Sequence, residues 1–207
     1  MELRQIQLTL NAPVGPLNDV RRQRIMEAVG SGFNIQPVPF QGALALVNPM
    51  SREALFVTDS QIQFTCEGQP AEFSASRMEY LLGAVRDTLL LDDRFPMILQ
   101  IIAHKDANGS AFEHTVEAFA PLPPHRLRQY FPGLRGLGLR ITFEEHPYVC
   151  DLRVEPLFSD PAYYFIQFNA GSQQSALSIA RAVEDTNNWL QRLQGEINNI
   201  VEEMLAQ

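Results

Sequence analysis

Four histidines and two acidic pairs are the residues of this chain best suited to chemistry: His104, His114, His125 and His146, with Glu144-Glu145 and Asp92-Asp93. No two His are three or four residues apart, the spacing that sets a metal-ligating pair on one helix face. A hairpin over 97–104 and 112–119 would instead bring His104 near His114, with Glu113 beside them. Such a group could hold a metal ion and support hydrolysis. Glu144-Glu145-His146 stands at a strand end before Pro147 and could do acid–base work only if buried in a cleft. A solvated turn is the simpler reading, as a helix terminus is for Asp92-Asp93. No Ser lies in a G-x-S-x-G elbow. Gly133, Gly136 and Gly138 lead into a strand and so lack the helix N-terminus that cradles a phosphate. No catalytic residue, metal or cofactor is therefore assigned, and a binding role is preferred to an enzymatic one.

Charge narrows the partners. The chain has 207 residues with 24 Asp and Glu against 16 Lys and Arg, a formal net charge of -8. Such a protein is repelled by nucleic-acid phosphates and anionic membrane surfaces. The densest basic cluster, Arg21, Arg22 and Arg24, is flanked by Asp19 and Glu27 and reads as a solvated helix face. The basic residues are nearly all Arg, Lys105 being the exception, a bias that a GC-rich genome produces without any function. Cys66 and Cys150 fit no metal spacing; each lies in an alternating strand with its apolar neighbours, as a buried reduced thiol does. Met1–Leu10 has neither the apolar run nor the cleavage site of a signal peptide, and no window approaches 18 apolar residues. A cytoplasmic protein acting on neither nucleic acid nor membrane is expected.

The elements that would position these residues follow from periodicity. Ile6, Leu8 and Leu10 alternate with polar residues as a half-buried strand. A helix over 18–29 is capped by Asn18. Strands are expected over 43–47, 54–57 and 62–66, the last two as a hairpin. Ser76 and Glu79 form a capping box for a helix whose stripe is Met78, Leu81, Leu82, Val85 and Leu89. Met97–Ala103 is a buried strand. Asn108-Gly109 favours a hairpin turn, and β-branched Thr115 and Val116 favour a returning strand over 112–119, with a Ser110-capped helix as the alternative. A short helix over 125–131 is followed by strands over 137–143, 148–155 and 162–169. The last helix, about 175–205, carries a 3-4 seam of Leu190, Leu193, Ile197, Ile200 and Met204, with Trp189 beside it.

These elements form two β-α-β-β-β-α units, 1–93 and 94–207. The expected class is α+β, with one curved antiparallel sheet and long helices packed on one face. This order, and the hairpin stretch Glu53–Gly68 followed by its helix, resembles the TATA-binding-protein-like fold. The resemblance implies a duplicated saddle. It implies no DNA binding, since the apolar wedges and basic flanks of a minor-groove binder have no counterpart among outward Gln63, Thr65, Asp151, Arg153 and Glu155. The order with its long terminal helix is also similar to a sporadically distributed, uncharacterised family of bacterial proteins. That family carries a Leu-Arg-Tyr-x-Asn stretch where this chain has Leu139-Arg140-Ile141-Thr142-Phe143.

Two surfaces follow. Residues 163–168 are apolar on both alternating faces, so Tyr164 and Phe168, together with Arg140, Asp151 and Arg153, are expected to form a ligand or partner face. The seam of Trp189, Leu190, Leu193, Ile197 and Ile200 is expected either to pack on its own sheet or to join two copies. The leading expectation is a binding or assembly protein, as a homodimer or with a protein partner. The alternatives are a binder of a small anionic metabolite between the halves, held by Arg140 and Arg153, and an enzyme built on His104, His114 or residues 144–146.

Overall fold

A computed structural model describes residues 1–38, 42–68, 71–172 and 175–205, apart from the side chains of residues 198, 201, 204 and 205. The described residues form five helices and eleven strands, in the order β1 (Glu2–Asn11), α1 (Asp19–Val29), β2 (Asn34–Gln36), β3 (Leu44–Asn48), β4 (Glu53–Val57), β5 (Gln61–Glu67), α2 (Ala75–Leu89), β6 (Arg94–Phe95), β7 (Met97–Asp106), α3 (Ala111–Phe119), α4 (Pro124–Tyr130), β8 (Leu139–Glu145), β9 (Tyr148–Pro156), β10 (Tyr163–Gly171), β11 (Leu177–Ser178) and α5 (Ile179–Leu205). The α+β class read from the sequence is borne out.

Nine strands make one antiparallel sheet in the order β2-β3-β4-β5-β1-β7-β10-β9-β8, and β6 pairs separately with β11. The β1–β7 pair joins its two sides: Leu8 stands between Phe64 of β5 and Leu99 of β7. Because side chains alternate along a strand, this register fixes which residues share a face. Ile6, Leu8 and Leu10 share one face with Ile62, Phe64, Cys66, Met97, Leu99 and Ile101, and all are at most 2% exposed. Gln5, Gln7 and Thr9 share the other with Gln63, Thr65, Gln100 and Ile102.

The helices meet the first set. The α2 stripe of Met78, Leu81, Leu82, Val85 and Leu89 is buried in the same cluster as the strand residues. Trp189 of α5 packs against Phe168 and Phe143, with ring centroids 4.7 and 6.1 Å apart. Burying one such aromatic side chain contributes about 2–3 kcal/mol. Helix α2 also packs on α1 and α5.

Two local expectations are corrected. Residues 112–119 form helix α3, not a strand. The Ser110 hydroxyl accepts the Glu113 N–H at 3.3 Å, and Ala111, Thr115 and Val116 are buried along one side. The cap and the apolar face outweigh the β-preference of Thr115 and Val116. Asn108 does adopt the left-handed conformation, with φ 52°, but that turn leads into the helix. Helix α2 starts earlier than its capping-box reading: Ser74, not Ser76, accepts the Arg77 N–H.

Candidate binding site

The second face of the sheet stays open. Along β10, Tyr163, Phe165, Gln167 and Asn169 are half-buried, while Tyr164, Ile166, Phe168 and Ala170 are fully buried. This corrects the placement of Tyr164 and Phe168 on a ligand or partner face. Both are 0% exposed and lie on the helix side, Tyr164 with its hydroxyl 3.1 Å from His114 Nδ1. The aromatics that reach the open side are their neighbours Tyr163 and Phe165.

Registers carry residues straight across the open face. One row runs Phe56, Gln63, Thr9, Ile98, Gly171 and Val149. The next runs Ala54, Thr65, Gln7, Gln100, Asn169, Asp151 and Thr142. The Gln100 amide donates to Asn169 Oδ1 at 3.1 Å, and the Gln63 amide to Thr65 Oγ1 at 3.2 Å. Ile98 is 48% and Val149 39% exposed, so apolar groups interrupt the amide ladder. From β4 to β10 both rows are neutral, on a chain whose net charge is -8, whereas beyond β10 the first reaches Glu144 of β8 and the second Asp151 of β9.

At the β8 side of this face the structure brings Arg140, Asp151 and Arg153 together. Arg140 Nε lies 2.8 Å from Asp151 Oδ1 and Arg153 Nε 3.3 Å from Oδ2. The Arg140 hydrogen bond, with the charges of both guanidiniums, holds the Asp151 carboxyl below the usual carboxylate range. Both cations expected to bind an anion are thus engaged by one internal carboxylate.

The other candidates separate. His104 points to the open side of β7, beside Phe165, whereas His114 sits on α3 on the helix side. The sheet lies between them, so the His pair does not form. Burial, and next the charge of Arg4, push the His104 pKa down. Glu144, Glu145 and His146 are exposed around the β8–β9 turn, and Glu145 is taken by Arg192. Among the described residues no three His, Cys, Asp or Glu side chains gather as a metal site. The α5 seam is used within the chain: Trp189, Leu190, Leu193 and Ile197 are at most 8% exposed, and Ile200 packs partly buried on the same core. Of the two readings of that seam, burial favours packing on its own sheet over a surface between copies, while Met204 lies outside the described side chains. The Arg21 guanidinium donates to the Val14 and Pro16 carbonyls at 2.7 and 2.8 Å, so it braces a loop.

Sequence reasoning missed two groups. The first is buried: the Tyr148 hydroxyl donates to Asp185, whose carboxylate is also held by Arg181 Nε at 3.0 Å and Nη2 at 2.8 Å. Tyr148 and Asp185 are each 5% exposed. Burial, and then the hydrogen bond and charge of Asp185, drive the Tyr148 phenol far upward, so it stays a donor. Nothing in local spacing links a strand tyrosine to a helix aspartate.

The second is a cleft of about 840 Å³ on the open side, lined among others by Arg4, Asn48, Arg52, Glu67 and His104. The β1 register slips between Leu3 and Gln5, making Arg4 the extra residue of a bulge. Arg52 has φ 55°, in the left-handed region, which costs a non-glycine residue about 1 kcal/mol or more. The Asn48 carboxamide oxygen accepts the N–H groups of Met50 and Ser51 at 3.1 and 3.2 Å and so closes the turn that ends at Arg52. Both departures from regular backbone bring a guanidinium to the same cleft. No helix of the described residues is long and apolar enough to cross a membrane. Comparison with known protein families found no model that matches this chain, and comparison with curated proteins found no match.

Proposed function

We propose that this protein is a non-catalytic binding and assembly protein whose recognition surface is the open face of the sheet, and that its partner there is a second copy of itself. The observation that carries this reading is the pair of central rows, neutral from β4 to β10 and made of amides, hydroxyls and a few apolar side chains. Two acidic chains repel one another wherever acids meet. A neutral face is where that repulsion is weakest, and Gln and Asn, being donors and acceptors at once, can pair with their own kind. Nine strands about 4.8 Å apart, each presenting about 20 Å of length, offer on the order of 800 Å². That is about what one partner contributes to a stable interface. The two sides of the sheet are read as copies of one ancestral unit. Support comes from the matching orders β1-α1-β3-β4-β5-α2 and β7-α3-β8-β9-β10-α5, and from the spatial orders β3-β4-β5-β1 and β7-β10-β9-β8.

Light scattering over a concentration series tests this. Association to twice the 23.3 kDa chain mass is expected. A variant carrying Ile98→Arg and Gln100→Arg on β7 is expected to remain folded and to stay monomeric. A wild type that is monomeric at the highest concentration, or a double variant that associates equally well, overturns the reading. The metabolite reading with Arg140 and Arg153 has less support, because Asp151 occupies both guanidiniums.

A further inference from the structure

We propose that the cleft between Arg4, Arg52 and His104 binds a small acidic α-amino acid. The proposal does not rest on self-association, because every residue of the cleft comes from one chain.

The charges around the cleft decide the ligand class. Glu53 also borders it, but that carboxylate is 6% exposed and is held by the Ser51 hydroxyl at 2.8 Å and by Arg77 Nε at 3.4 Å from the α2 side. One terminal nitrogen of Arg4 donates to Glu2 at 2.7 Å, while Arg4 Nε is buried and finds no partner among the described residues. Among the described residues, then, this guanidinium keeps one unsatisfied nitrogen, a state that buried polar groups rarely keep. Arg52 and Glu67 are both exposed at the rim, and their backbones are joined by the Glu67 N–H donating to the Arg52 carbonyl at 3.1 Å. No side-chain partner of either is found among the described residues. With the internal pairs set aside, one cation and one anion remain beside each other, with Arg4 and the His104 ring deeper in the cleft.

That set complements a zwitterion with a second acidic group. The ligand's α-carboxylate pairs with Arg52 and its α-ammonium with Glu67. The side-chain carboxylate reaches the Arg4 guanidinium where it lines the cleft beside His104. Guanidinium groups suit carboxylates because their donors match the two oxygens. The cleft volume of about 840 Å³ lies within the range of small-molecule sites.

Isothermal titration of the full chain with L-glutamate, L-aspartate, L-glutamine, succinate and inorganic phosphate tests the proposal. Binding of L-glutamate or L-aspartate is expected, at least tenfold tighter than L-glutamine, which lacks the second charge, and than succinate, which lacks the ammonium. Arg52→Ala is expected to weaken the acidic amino acid at least tenfold. Glu67→Gln should abolish its preference over succinate, and Arg24→Ala, exposed on α1, should leave binding unchanged. Circular dichroism confirms that each variant is folded. No heat at millimolar ligand overturns the proposal, as does phosphate or succinate binding as well as glutamate. Binding that Arg52→Ala and Glu67→Gln leave unaltered overturns it too.

Discussion

On the covered side of β10 stand Tyr164, Ile166 and Phe168, none more than 2% exposed; one residue over, on the open side, Tyr163, Phe165 and Gln167 each keep part of their surface free. The two sets are nearly equal in aromatic content. What separates them is register with β7, where Phe168 faces Ile101 of the core set and Gln167 faces Ile102 of the open set. The same division applies to charge. Asp185 on the helix side is 5% exposed and held by a phenol and a guanidinium, while Asp151 on the open side is held by two exposed guanidiniums. A side chain's contribution to stability here is set by its face rather than its type.

The largest test of that contrast is a pair of truncations. Phe168→Ala removes a ring packed at a tilt against Trp189 and leaves a cavity, at a cost of about 3–5 kcal/mol. Phe165→Ala, one face away, should cost about 1 kcal/mol. Denaturant midpoints measure both, and equal losses would end the distinction between faces. Next come the aspartates. Asp185→Ala leaves the buried Tyr148 hydroxyl without its acceptor and should cost about 1–3 kcal/mol, whereas Asp151→Ala should cost less than about 1 kcal/mol, as exposed pairs do. A larger loss at Asp151 would show that the open face is loaded after all.

A smaller effect concerns alkaline pH. Burial, and then the charge of Glu145, push the Cys150 thiol from 9.0 up to about 11. Between those values the unfolded chain has released a proton that the folded chain keeps. The stability present below pH 9 therefore declines as pH rises toward 11. Cys66, raised chiefly by burial, acts in the same direction. Unfolding curves at pH 8 and pH 10 should show the decline, and Cys150→Ala should reduce it; a flat profile would mean that the covered side admits water. The smallest expected change is Val149→Ser on the open face, within about 0.5 kcal/mol of wild type.

Periodicity made much of this legible beforehand. Ile6, Leu8 and Leu10, the α2 stripe and the alternation of β9 each announced both element and buried side, because one face of each is apolar and the other polar. Where both faces are apolar, as along 163–168, alternation identifies a strand but not its orientation, and it does not tell that Tyr164 and Phe168 are the buried pair. Over 111–119 a β-branched pair competed with a serine cap, and the cap with its apolar face prevailed. The cleft was invisible for another reason. Residues 4, 52 and 104 meet through a bulge and a left-handed turn, which have no period, and through pairings between strands far apart in the chain.

The β1–β7 seam has a consequence for how the molecule opens. Each of these strands is bonded along both edges, β1 to β5 and β7, β7 to β1 and β10. Neither can loosen without breaking two ladders at once, while β2 and β8, at the margins, can each detach at the cost of one. Amide exchange should therefore be graded across the sheet, fastest at its margins and slowest at Leu8 and Leu99, whose protons should leave only when the whole chain unfolds.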